Sequence, residues 1–82
     1  MDKTDYNKYK EWITKIGAEI RRLRKNNTNL NYIDFSKKIN MNKNTYFRIE
    51  AAKGDYSISK LCKIIDYYPH IKMSDFFENI KL

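Results

Sequence analysis

A chain of 82 residues, 41% hydrophobic and 33% charged, makes one small domain, and such a domain buries only about 60–65% of its unfolded surface, too little for a pocket walled by several layers. Seventeen Lys and Arg against ten Asp and Glu leave a formal charge of +7, and one cysteine (Cys62) with one histidine (His70) excludes an intramolecular disulfide and a Cys/His zinc set. No apolar run approaches the about 18–20 residues of a membrane span, and Met1-Asp2-Lys3-Thr4-Asp5 lacks the apolar stretch of a signal peptide. The expectation is a cytoplasmic protein that is not an enzyme, with no cofactor, no metal, no membrane partner and no small-molecule ligand domain.

Helix 1 is predicted from about residue 5 to about residue 25. Thr4 or Asp5 is suited to cap its start, and Tyr9, Trp12, Ile13, Ile16, Ile20 and Leu23 fall at the 3/4 spacing of one helical face. Asn26-Asn27-Thr28-Asn29 ends it, since Asn tolerates the left-handed conformation found after helices. Asn31 is the expected N-cap of a short second helix carrying Phe35 and Ile39. Asn40 stands where that helix must close in a left-handed residue, and Asn42 can cap helix 3, with Tyr46 and Ile49 facing inward. A short helix, the turn Asn40-Met41-Asn42 and a third helix together read as a helix-turn-helix. Lys53-Gly54-Asp55-Tyr56 is a turn, after which Ser57 or Ser59 opens helix 4. There Ile58, Leu61, Cys62, Ile64, Ile65 and Tyr68 repeat at helical spacing up to Pro69. Ser74 or a residue just before it starts helix 5, with Phe76, Phe77 and Ile80. The expected fold is an all-α five-helix bundle in one domain, 1–82.

Charge is unevenly spread. Residues 1–54 hold 13 Lys and Arg against six Asp and Glu, whereas residues 55–82 hold four of each. A basic part joined to a neutral, aromatic part suggests one surface for a polyanion and another for packing or self-association.

Over roughly residues 16–77 the chain resembles the phage repressor/Cro-type helix-turn-helix family, also called the XRE family. The residues that carry the resemblance are Ile16-Gly17-x-x-Ile20-Arg21-x-Leu23-Arg24, the run from Phe35 to Glu50, and Ser57-Ile58-Ser59-Lys60-Leu61, with Leu61 eleven residues after Glu50. Residues 1–15 extend helix 1 beyond the family's usual start. Departures include a loop one residue longer between Arg24 and Leu30, Tyr32 where Gln usually opens helix 2, Ser36 for Ala, Asn40 for the turn Gly, and Ala52 for a Gly. The resemblance implies a double-stranded DNA-binding regulator, a small repressor of bacterial or phage type, and an ion pair of Arg24 with Glu50 that fixes helix 3 on helix 1.

If helix 3 starts after Asn42, then Lys43, Asn44, Phe47, Arg48 and Ala51 share one face opposite Tyr46 and Ile49, the face a major groove would see. Lys43 can donate to guanine, Asn44 can pair bidentately with adenine, Phe47 can touch a thymine methyl, and Arg48 can fork onto guanine or a phosphate. Phosphate anchoring is expected from Asn31, Tyr32, Lys37, Lys38, Asn42, Thr45 and Lys53. Phe47 on a polar face demands a partner, which leaves a rival reading: a protein-interaction module with Phe47 buried in another protein and no operator. Tyr67, Tyr68, Ile71, Met73, Phe76, Phe77, Ile80 and Leu82 exceed the needs of a short helix pair. A homodimer is therefore expected through Tyr68, Ile71, Met73, Phe76, Phe77 and Ile80, matched to a palindromic operator. Tyr6, Tyr9, Trp12 and Ile13 either cover the core or join that interface. Asp66, Asp75 and Glu78 lack the neighbours that acid/base or metal chemistry needs, Cys62 reads as a core thiol and His70 as a loop residue.

Overall fold

The apolar spacing of the chain is realised as five helices: α1 (Lys3–Asn27), α2 (Tyr32–Lys38), α3 (Lys43–Glu50), α4 (Ile58–Asp66) and α5 (Met73–Ile80). The structure, a computed structural model, describes residues 3–54 and 56–80, with the surroundings of side chains from residue 9 onward. Among the described residues there is no strand, and no helix is long and apolar enough to cross a membrane. Thr4 and Asp5 lie inside α1 and not at its cap. The side chain of Tyr6, and Leu82, lie outside the described residues.

At 1.5 Å per residue a 25-residue helix is about 37 Å long, and α1 accordingly sets the longest dimension of the chain, 37 Å. Its C-terminal half is the spine. There Ile20 and Leu23 are buried, and α3 packs on the same stretch. Toward its N-terminus Trp12 is 51% exposed, with its ring 5.4 Å from that of Tyr9.

Each connection is set by residues suited to it. Asn31 Oδ1 accepts from Asp34 N at 2.8 Å and caps α2. Asn42 Oδ1 accepts from Asn44 N at 2.8 Å and Thr45 N at 3.2 Å and caps α3. Ser57 caps α4. Both α2 and α3 close through a left-handed residue followed by a 6→1 backbone bond. In α2 these are Asn40 (φ 56) and Met41 N to Ser36 O at 2.8 Å; in α3 they are Ala52 (φ 58) and Lys53 N to Arg48 O at 2.9 Å. Asn40 takes this conformation readily, and Lys63 Nζ ties its carbonyl to α4 at 2.8 Å. Ala52 pays a steric penalty at its Cβ, so Ala52→Gly should stabilise the protein by about 1 kcal/mol; an unchanged or lowered thermal midpoint would count against the left-handed closure.

Phe35, fully buried on α2, organises the centre of the core. Its ring lies 5.2 Å from Tyr46 of α3, 4.9 Å from Tyr67 and 6.0 Å from Tyr68. Ser36 beside it is also buried, with Oγ donating to Ile33 O at 2.6 Å, so the small hydroxyl fits without an unpaired polar atom. On α4, Leu61, Ile64 and Ile65 face inward, while Ile58 is 65% exposed and Cys62 is a surface thiol, not a core one.

The expected dimer residues divide. Tyr68 (5% exposed) and Phe76 (0%) belong to the chain's own core and present nothing to a second copy. A neutral C-terminal part that looked too rich in apolar residues uses two of its largest to close the bundle over Phe35 and α1. Ile71, Met73, Phe77 and Ile80 are half-buried against the same core.

Candidate functional site

The close approach of α1 to α3 begins at Gly17. A Cβ at that position would meet the carbonyl oxygens of Ile49 at 2.5 Å and Glu50 at 2.7 Å. Without a side chain there, the last turn of α3 lies directly on the α1 backbone.

Two turns further along α1, Arg24 reaches the same end of α3. Its Nε donates to Glu50 Oε2 at 2.8 Å, its Nη2 to Glu50 Oε1 at 3.1 Å, and its Nη1 to Leu30 O at 2.9 Å. The two side chains are 10% and 7% exposed. This is the ion pair that the family resemblance implies, bidentate and nearly dry, and the Leu30 carbonyl adds the loop before α2 to the same clamp. The hydrogen bonds to Glu50 raise the Arg24 pKa further, against the desolvation that opposes them. Beneath the pair lies the Tyr46 hydroxyl, buried without a hydrogen-bond partner. Burial first, and the Glu50 carboxylate second, push its ionisation far above the ordinary phenol range.

Held this way, α3 turns Lys43, Asn44, Phe47, Arg48 and Ala51 outward, all exposed, and Tyr46 and Ile49 inward. Lys43 and Asn44 carry side chains with no partner among the described residues. Phe47 is 40% exposed and better covered than its sequence position suggests, with the Tyr32 ring 5.2 Å away and Lys53 Nζ 5.8 Å from its centroid. Arg48 is folded toward the following loop, where its Nε donates to Lys53 O at 3.1 Å. The remaining N–H groups of its guanidinium stay available to a ligand.

The expected anchoring residues fall into two groups. Tyr32 and Lys53 gather around Phe47 through ring contacts, and Asn31 caps the helix that Tyr32 opens. Lys37 and Lys38 lie exposed at the other end of α2, about 9 Å along its axis. Asn31 and Asn42 spend their side-chain oxygens on capping, which leaves each amide NH2 as a donor. Thr45 is half-buried and lines a cleft of about 160 Å³ with Arg48, Lys53, Tyr56 and Lys60.

Sequence reasoning passed over Arg21, which borders both Phe47 and Ala51. Its only signal was the basic residue three positions before Arg24 on the face next to α3. Asp66, Asp75 and Glu78 are all exposed, and Asp75 caps α5 by accepting from Lys72 N at 3.1 Å. Among the described residues no group of three His, Cys, Asp or Glu side chains is placed to hold a metal ion.

No family model, curated protein or solved structure matches the chain.

Proposed function

We propose that the protein is a sequence-specific double-stranded DNA-binding regulator of the phage repressor/Cro type, reading the major groove with α3 and acting without catalysis. One observation carries this: Lys43, Asn44, Phe47 and Arg48, none of them needed for the core, stand exposed on one face of a helix whose opposite end is clamped by Arg24 and Glu50. Base readout needs donors held on a rigid element, because each good bidentate pairing discriminates by about 1–3 kcal/mol only if its geometry is fixed. The capped turn from Asn40 to Asn42 and the Phe47–Tyr32 contact support the same reading, since they join the start of α2, with its amide donors, to the exposed face. Lys37, Lys38, Asn42, Thr45 and Lys53 supply phosphate contacts around it.

A second copy completes the site. Two α3 helices about 34 Å apart would engage successive major grooves of a palindrome. The proposed contact uses Ile71, Met73, Phe77 and Ile80, with Tyr68 and Phe76 left in each protomer's core.

Selection of bound duplexes from a random double-stranded pool at physiological salt, followed by sequencing, tests both parts. The expected result is an inverted repeat that Lys43→Ala/Arg48→Ala protein fails to enrich. Affinity for that repeat should fall by about 10³ or more between 50 and 200 mM salt, as counterion release from six or so phosphates demands. Recovery of no motif, with wild type and variant giving the same background, overturns the reading in favour of a protein partner for the Phe47 face.

A further inference from the structure

The six cationic side chains on α1 beyond Lys8 sort by whether an acid already holds them. Lys15 pairs with Glu11 at 3.2 Å, Arg22 with Glu19 at 2.6 Å and Arg24 with Glu50 at 2.8 Å. Lys10, Arg21 and Lys25 are exposed and have no acidic partner among the described residues. These three are not scattered. Arg21 and Lys25 follow Lys10 by 11 and 15 residues, about three and about four helical turns, so all lie on one edge of α1 along about 22 Å.

That edge is the wall of an open groove of about 450 Å³, lined by Lys10, Thr14, Ala18, Arg21 and Lys25 of α1 and floored by the end of α3 at Ala51 and Ala52. Thr14 and Ala18 are small, so the groove is open between the cations. The remaining charged residues in it, Arg22 and Glu50, are already paired elsewhere. Arg21, Glu50 and Ala51 also line the adjoining depression that contains Tyr32 and Phe47. One continuous surface therefore runs from the outward face of α3 across Ala51 onto the free cations of α1.

Resting on the reading of α3 as a DNA-reading helix, we infer that Lys10, Arg21 and Lys25 form a second phosphate-binding strip, which takes the backbone of the same duplex where it flanks the base pairs read by α3. The strip carries charge and spacing with no base-reading groups aimed from it, so it adds affinity and length of footprint without sequence preference.

The full chain and its Lys10→Ala/Arg21→Ala/Lys25→Ala variant are compared by fluorescence anisotropy on the selected duplex, once with flanks of about one further turn on each side and once trimmed to the repeat, between 50 and 200 mM salt. Alanine favours a helix and all three positions are exposed, so the variant should melt as wild type does. On the flanked duplex the slope of log K against log salt should fall by about 2–3, which shrinks the affinity gap between the two proteins about 40-fold across that salt range. On the trimmed duplex the two should agree, and both should keep their preference for the repeat. Equal slopes on the flanked duplex overturn the strip even if the repeat is bound. A slope difference on duplexes of mixed sequence, with no repeat ever selected, upholds the strip and overturns the reading of α3. Absence of duplex binding by wild type overturns both.

Discussion

Arg24→Ala should lower stability by about 3–5 kcal/mol, because it strands the Glu50 carboxylate in a site that is nearly dry. Against the roughly 5–15 kcal/mol that holds a small domain together, such a loss should lower the thermal midpoint by about 12–40 °C in a chain of this size. The structure gives three reasons for a value far above the about 0–1 kcal/mol expected of a surface pair. Glu50 is 7% exposed at its side chain and Arg24 10%, the contact is bidentate, and the third donor of the guanidinium holds Leu30 O. The Tyr46 hydroxyl, buried with no hydrogen-bond partner and within the electrostatic reach of Glu50, is near enough to answer a stranded carboxylate. Glu50→Ala should cost a similar amount, by leaving the guanidinium unpaired, and Arg24→Ala/Glu50→Ala should cost less than the sum of the two, since neither charge is then orphaned. Urea titrations of the three variants give the coupling directly. Affinity for the selected duplex should fall with Arg24→Ala as well, since the clamp sets where α3 points. If Arg24→Ala leaves both the thermal midpoint and that affinity at wild-type values, the pair does not hold α3 and the clamp is only a contact.

Most of the helical framework was legible in the chain because its connections use residues with narrow roles. Asn31, Asn42 and Ser57 are good caps, and each caps the helix expected of it. Asn40 stands where a left-handed residue is required and adopts one. Periodicity likewise separated Tyr46 and Ile49 from Lys43, Asn44, Phe47 and Arg48. Periodicity carries the direction of a side chain and not what lies above it, and there the reading was less good. The 3/4 pattern of α1 continues through Trp12, yet the ring there is left 51% exposed. Ile58 and Cys62 fit the α4 pattern at positions the core does not reach. Tyr68 and Phe76, expected at a dimer interface, lie in the core instead, because counting apolar residues cannot show how much volume an aromatic centre around Phe35 must fill. Phe47 was expected to want a partner, and Tyr32, fifteen residues earlier, partly provides one. The Arg24–Glu50 pair came from the family resemblance, since nothing in spacing alone joins residues 26 positions apart.

Gly17→Ala should destabilise the protein by about 1–3 kcal/mol, although the same change in an ordinary helix interior gains up to about 1 kcal/mol from helix propensity. The sign is decided by what the new methyl would meet. Its nearest neighbours are the Ile49 and Glu50 carbonyl oxygens at 2.5 and 2.7 Å, with the Glu50 carbonyl carbon at 3.1 Å. All three are backbone atoms of α3, so relief cannot come from a rotamer change. It requires α3 to move as a unit away from α1, and the atoms pushed are those of Ile49 and Glu50. The displacement therefore acts on the carboxylate that Arg24 holds at 2.8 and 3.1 Å, and steric and ionic losses should be coupled. In the Arg24→Ala/Glu50→Ala background, α3 has no clamp to lose and is freer to shift, so Gly17→Ala should cost less there than in wild type. The same shift would tilt Lys43, Asn44 and Arg48 relative to the anchoring residues of α2, and affinity for the selected duplex should fall more than the fraction of unfolded protein explains. A thermal midpoint raised by Gly17→Ala would mean that propensity outweighs contact, and that the two helices are not packed backbone to backbone at this point.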